Sequence, residues 1–410
     1  MNKKYFAYVT VCVALICIAG GAIMGFFIGG AGTGDELAAL RQYVDEYYTG
    51  SEYNEEELFN AAAHAYIQAL GDPYSEYYNA DEYEKMNQAH EGKYAGIGIS
   101  IQIDENNVYS IIDVNKNGPA FRSGVQVGDI LLSFNGTSVS GMSMEEFNKM
   151  AGLDEGQDVT IVVKRQDTEY TFSMKSEIVQ QDMASFEMLD GGIAYILIKN
   201  FYGNAATLVN DSMERILYAM AEASEERLFY NTLNNLGDER EALIAENCSG
   251  FIIDIRSNPG GDLSVLQSIA GCFIGNKEVL KMVYKNGTED KYNGTGTAVS
   301  QPVAVLVNEN SASASEAFAG CIQAHGRGKI VGTQTFGKGI AQQTFILKNG
   351  SAVKLTVAKY YLPDGRCIHG EGITPDLVVE LPDGVEITKE NDTQLLEAIK
   401  LVAEPSGSER

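Results

Sequence analysis

The chain carries no charge from Tyr5 to Ile28, and this run limits the fate of its N-terminus more than any other feature does. As a helix it would cover about 36 Å, more than the roughly 30 Å hydrocarbon core of a bilayer. Lys3 and Lys4 precede the run, and Asp35 and Glu36 are the first charges after it. The positive-inside rule then makes residues 1–4 a cytoplasmic tail and 5–30 a single-pass transmembrane anchor, with the rest of the chain outside. A cleaved signal peptide is the competing reading. Its apolar core is usually shorter, about 7–15 residues, although Gly29-Gly30-Ala31-Gly32 offers small residues for cleavage. Lipidation at Cys17 is a weaker alternative, because Leu15-Ile16 is a poor approach to that cysteine.

The rest of the 410 residues is long enough for several domains, and 45% hydrophobic with 21% charged residues excludes wholesale disorder. Fifty-six acids against thirty bases leave a formal charge of −26. No basic stripe interrupts that acidity, which argues against a nucleic-acid partner. The four histidines and six cysteines form no Cys-x-x-Cys or His-x-x-x-His pair, so a metal or haem reading has nothing to stand on and no cofactor is implied. Cys248, Cys272, Cys321 and Cys367 are scattered and read as lone buried thiols.

Hydrophobic spacing divides the chain. Residues 31–90 read as helical, with Leu37, Leu40, Val44 and Tyr47, then Leu58, Ala62, Tyr66 and Leu70, on helical periods. Gly71-Asp72-Pro73 breaks the pattern. Dense tyrosines and acids mark this region as a solvated or packing surface more than a catalytic one. Residues 91–177 switch to short β-like runs (Ile97–Ile103, Val108–Ile112, Ile130–Phe134, Val159–Val163) around one helix, Ser143–Met150. Residues 178–390 alternate strands (Ile193–Ile198, Phe251–Ile255, Val303–Val307) with helices, which predicts a layered sheet-and-helix core. The charged stretch 222–247 reads as a surface insertion, and 391–410 as a short helix with a tail.

Gly96-Ile97-Gly98-Ile99 lets successive N–H groups turn toward one space, a nest suited to a terminal carboxylate. Alone it is equally a turn before a strand. With Gly118-Pro119-Ala120 and Gly128-Asp129-Ile130-Leu131 following in order, residues 91–177 resemble a PDZ domain of the bacterial protease-associated kind. The resemblance implies that Ile97–Ile99 and the helix Ser143–Met150 wall a groove for an extended C-terminal strand. Gly96, Ile97, Gly98 and Ile99 would then bind substrate.

Chemistry has two candidate segments. Val305-Leu306-Val307-Asn308 ends a strand and leads through Ser311-Ala312-Ser313-Ala314-Ser315-Glu316 into an amphipathic helix. A serine there would meet the free N–H groups of a helix's first turn, a ready site for an oxyanion. Plain N-capping explains the same residues, and Ser313 with Glu316 fits the capping-box spacing. The second segment, Thr335-Phe336-Gly337-Lys338-Gly339, sets one lysine among uncharged neighbours. To serve as a base near neutral pH, that lysine's pKa must fall by some three units from about 10.4, costing roughly 4–5 kcal/mol; desolvation can supply this. A solvated loop is the ordinary reading of Gly-Lys-Gly, and phosphate binding fails because the P-loop spacing is absent. Histidine is the rival base. His325 lies about three turns down the helix that begins near Ser313, and neither His64, His90 nor His369 has a Ser-His-Asp context. A Ser-Lys dyad fits better.

These two segments, with Gln342, Asp254-Ile255-Arg256-Ser257-Asn258-Pro259-Gly260-Gly261, Lys354–Tyr361 and Gly372-Ile373-Thr374-Pro375-Asp376, resemble the carboxyl-terminal processing peptidases, or tail-specific serine proteases. The likeness runs from about residue 38 to 400. Together with the apolar N-terminal run, it implies an α+β multidomain chain: a transmembrane helix, a helical N-terminal region, a β-barrel-like PDZ domain and a mixed α/β, crotonase-like Ser-Lys protease core. It further implies Ser313 as nucleophile, a choice the residues alone leave open among Ser311, Ser313 and Ser315. Lys338 becomes the general base and Gln342 its positioning residue, with an oxyanion hole from Ala314 N–H and that of Gly260 or Gly261. The expected partners are protein or peptide substrates with a free C-terminus, and the membrane; a homo-oligomer stays open. The expected place is the outer side of a bacterial plasma membrane. The stretch 222–247 departs from the family in its length. Two alternatives stay open: a non-catalytic PDZ scaffold, or another Ser-Lys hydrolase such as a signal-peptide peptidase.

Overall fold

A computed structural model of the chain describes residues 33–104, 107–221, 248–382, 384 and 387–403. The predicted membrane anchor, 5–30, and the insertion at 222–247 lie outside the described residues. Among those described, no helix is long and apolar enough to cross a membrane. The chain divides into two compact units, Met1–Ala63 and His64–Arg410. The first holds helix Thr33–Tyr47 and the start of helix Glu55–Gln68.

The second unit is a mixed α/β assembly built on three larger sheets. Strands Gly250–Asp254 and Val303–Val307 are buried at every position, as expected of parallel strands covered on both faces. Successive residues of a strand point to opposite faces, and the two faces have separate cores. Phe251, Ile253, Val305 and Val307 pack against Leu266, Phe273 and Phe318 of helices Leu263–Ile274 and Ala314–Ala324. Ile252, Ala304 and Leu306 pack instead against Leu395, Ala398 and Val402 of helix Thr393–Ala403. The six-stranded sheet is completed by Ala184–Leu189 and Ile193–Ile198 on one side and by Lys329–Gly332 and Leu377–Val378 on the other. All its pairings are parallel except that of Ala184–Leu189 with Ile193–Ile198.

A five-stranded sheet forms around the long strand Ala352–Tyr361. It pairs antiparallel with Ile340–Ile346, with Glu278–Tyr284, and with a short strand, Glu76–Tyr78. That last pairing corrects one expectation. The region read as helical, with a break at Gly71-Asp72-Pro73, supplies a strand to the core and, through helix Ala80–His90, lines a cleft.

The PDZ segment keeps its own core around Tyr109, Leu131, Phe134, Phe147 and Ile161. Its sheet runs in the order Ile99–Ile103, Tyr109–Val114, Ile130–Phe134, Asp158–Arg165, Thr168–Lys175. Ser143 caps helix Met144–Met150 and Glu146 closes the capping box. Lys93–Gly96 pairs antiparallel with Glu177–Gln180, so the two ends of the segment enter and leave side by side. The strand Thr168–Lys175 escaped the sequence reading because its polar, mostly exposed residues give no apolar run.

Candidate active site

Strand Val303–Val307 delivers the chain to a turn in which Ser311 N–H donates to Asn308 O at 2.9 Å and Asn308 N–H to Ser311 Oγ at 3.0 Å. The three serines that the sequence could not separate now differ. Ser311 and Ser315 are fully buried, and each hydroxyl donates to a backbone carbonyl, Ile255 O at 2.8 Å and Asn258 O at 2.9 Å. Ser313 is the one that lines the cleft. It sits at the N-cap of helix Ala314–Ala324 with φ 56° and ψ −115°, a conformation that costs a non-glycine residue on the order of 1–3 kcal/mol.

What holds that strained backbone is Glu316, fully buried one turn into the helix. Its Oε2 accepts the backbone N–H of Ser313 at 2.9 Å and of Lys338 at 2.8 Å. Its Oε1 accepts Thr335 Oγ at 2.6 Å and Gly337 N–H at 2.7 Å. On the carbonyl side, the buried Tyr360 hydroxyl lies 2.9 Å from Ser313 O and 2.8 Å from Lys338 O. The capping-box spacing accounts only for the contact with Ser313. The other three donors, Thr335, Gly337 and Lys338, come from a loop 19 to 22 residues away, which no local pattern announces.

Lys338 is half-buried, and burial lowers its pKa, with the Lys354 ammonium pushing the same way and Asp72 and Glu316 opposing. Those two acids act through their fields without a hydrogen bond to the amine. The Nζ atom lies 4.7 Å from the centre of the Tyr74 ring. Gln342 lines the same cleft as Lys338 and donates to Thr356 Oγ at 3.2 Å.

The Asn258–Gly261 loop closes on the serine. A Cβ added to Gly260 would lie 2.8 Å from Ser313 Cβ and 2.9 Å from Ala314 N, so only glycine lets the loop approach this far. Gly260 N–H, however, donates to Asn258 Oδ1 at 2.9 Å. Of the two glycines considered for an oxyanion site, Gly261 is the one that lines the cleft with Ala314, whose N–H belongs to the unpaired first turn of its helix. Upstream, Arg256 is tied to Asp254 at 2.6 Å and to Asp392 at 2.8 Å, a buried network that anchors the loop to helix Thr393–Ala403.

The cleft has a volume of about 940 Å³. His90 also borders it, its ring stacked on Tyr202 at a centroid distance of 4.1 Å. His325 is elsewhere, with Nε2 2.7 Å from Glu278 O. In the PDZ segment, Gly96, Ile97, Gly98 and Ile99 line a groove of about 230 Å³ with Met144 and Phe147 of the facing helix. Among the described residues no cluster of His, Cys, Asp or Glu could hold a metal ion.

Residues 192–379 match the description "Peptidase family S41" and residues 95–175 match "PDZ domain". An S41-peptidase match and a PDZ match thus lie in one chain, in that order of size and without overlap. A "Probable CtpA-like serine protease" of Staphylococcus epidermidis is 30% identical over 82% of this chain, and a protein of the same name from Staphylococcus aureus is 30% identical over 82%. The chain spans 63% and 62% of the length of these two relatives. A solved Bacteroides fragilis structure assigned to the S41 proteases shares the fold at a TM-score of 0.53, with 15% identity, 87% of this chain and 92% of that one covered.

Proposed function

We propose that this chain is an S41-type serine endopeptidase in which Ser313 is the nucleophile and Lys338 the general base. Neutral Lys338 would take the Ser313 proton as Oγ attacks a scissile carbonyl, and water would then release the acyl group. Ala314 N–H and Gly261 N–H would receive the developing oxyanion, worth roughly 3–4 kcal/mol per donor. Gln342 would orient the lysine. The PDZ groove would take the free C-terminus of the substrate at Gly96–Ile99, and the N-terminal apolar run would hold the enzyme on the outer side of a bacterial plasma membrane.

The observation that carries this reading is the double tie between the two backbones, Glu316 Oε2 on their N–H groups and the Tyr360 hydroxyl between their carbonyls. A serine placed only to cap a helix has no need of a lysine loop fixed to its own backbone. The experiment is cleavage of casein and of a peptide with a free C-terminal tail by wild type and by Ser313→Ala. Loss of cleavage in the variant is expected, and equal cleavage by both would overturn the assignment. Amidating the tail should slow the reaction if the groove reads a carboxylate.

A further inference from the structure

The Asp72-Pro73-Tyr74-Ser75 turn, which the sequence presents only as a helix breaker, lies against the lysine. Tyr74 presents its ring to Lys338 Nζ at 4.7 Å. Asp72 is bound on several sides: Oδ1 accepts Tyr74 N–H at 3.1 Å and Oδ2 accepts Ser75 Oγ at 2.6 Å. Ser75 Oγ in turn accepts Thr356 N–H at 3.1 Å, and Thr356 Oγ is the atom to which Gln342 donates. Burial works against ionising Asp72, but hydrogen bonds from Ser75, Thr356 and the Tyr74 N–H outweigh it and hold the carboxyl below its usual range. The strand that follows, Glu76–Tyr78, pairs with Ala352–Lys354, so the turn is fixed to the strand that carries Thr356.

We propose that this turn is a positioning element of the catalytic lysine: the Tyr74 face is a berth for the protonated amine, and Asp72, through Thr356, props Gln342 beside it. A ring quadrupole attracts an ammonium and holds a neutral amine far less strongly. Loss of the proton therefore loosens the lysine from Tyr74 in the one form that Ser313 can use. The other charged groups facing the amine are Glu316, behind its backbone, and Lys354, which is itself occupied by Glu76 at 3.3 Å and Tyr78 Oη at 2.5 Å. The inference rests on the reading of Lys338 as the base.

The test reads the amine directly, in the Ser313→Ala protein, so that it needs no turnover. The rate of Lys338 acetylation by acetic anhydride is followed against pH by peptide mass spectrometry, with exposed Lys285 as internal reference. Tyr74→Leu and Asp72→Asn each remove a group that favours the ammonium, so each midpoint should fall, for Tyr74→Leu by about 0.5–1 pH unit. Tyr74→Phe keeps the ring and should leave the midpoint where it was. An unmoved midpoint in Tyr74→Leu overturns the berth, and one unmoved in Asp72→Asn overturns the role of the turn even if Tyr74→Leu fails to fold. In the active protein, Asp72→Asn should lower kcat with KM little changed. If Ser313→Ala proves as active as wild type, the peptidase reading falls while the labelling result still stands.

Discussion

Ser313 and Lys338, 25 positions apart in sequence, give their backbone N–H groups to the same carboxylate oxygen, Glu316 Oε2, at 2.9 and 2.8 Å. The relative placement of candidate nucleophile and base is thus set by main chain and a buried side chain.

Glu316→Ala would strand the donors of Ser313, Thr335, Gly337 and Lys338 without an acceptor. We expect a loss of stability of at least about 3 kcal/mol, since each buried donor left unsatisfied costs about 1–3 kcal/mol, and no measurable hydrolysis. Glu316→Gln keeps the volume but turns an amide on N–H donors, so it should lose less stability while kcat still falls at least tenfold. Thermal denaturation beside steady-state kinetics checks both.

Lys338→Met should be inactive yet more stable than wild type. In the unfolded chain this lysine holds its proton up to about pH 10.4, while burial in the fold lowers that pKa. Between the two pKa values the unfolded state binds more protons, so wild-type stability rises with pH through this group. The variant lacks the penalty. Its advantage should be largest below the folded-state pKa, about 0.5–2 kcal/mol, and should shrink as pH climbs toward 10. Chemical denaturation across pH measures the difference, and a variant less stable than wild type at neutral pH would speak against a desolvated lysine.

Gly98 adopts φ +80°, and a Cβ there would lie 3.2 Å from both Asn115 Cβ and Gly118 Cα. Gly98→Ala should distort the carboxylate end of the PDZ groove and weaken binding of a free C-terminal peptide at least tenfold. A short substrate that does not reach the groove should be cut as before. Fluorescence anisotropy of a labelled tail peptide gives the first result, and a short chromogenic substrate the second.

His90 shares the cleft, and its pKa is lowered by burial, with Asp262 opposing and Lys354 adding to the fall. Its ring is engaged by Tyr202. His90→Gln should therefore leave kcat within about threefold of wild type, whereas a histidine base would cost at least a hundredfold. Steady-state rates on one peptide separate the two.

The layered core was legible because Phe251–Ile253 and Val303–Val307 are apolar runs of the kind that strands buried on both faces use. The PDZ groove was legible because glycines at 96 and 98 precede a strand and a capped helix follows at Ser143. Ser313, Lys338 and Gln342 were proposed from motif likeness, and the fold brings them to one cleft. What stayed hidden were contacts between distant segments. Glu316 looked like a cap because its helix-side donor is local and its loop-side donors are not. Tyr74 looked like surface because the Gly71-Asp72-Pro73 break says that a helix ends, but not what the next residue faces. The strand Glu76–Tyr78 is three residues long and polar at one end, too short for any period to reveal.

Active-site labelling measures the central pairing most directly. A fluorophosphonate reacts with a serine only where a base withdraws its proton, so the protein is treated at pH 8 and the adduct located by peptide mass spectrometry. The account predicts one adduct, on Ser313, lost in Lys338→Ala and retained in His90→Gln. An adduct on Ser311 or Ser315, or labelling of Ser313 that persists undiminished without Lys338, would contradict it.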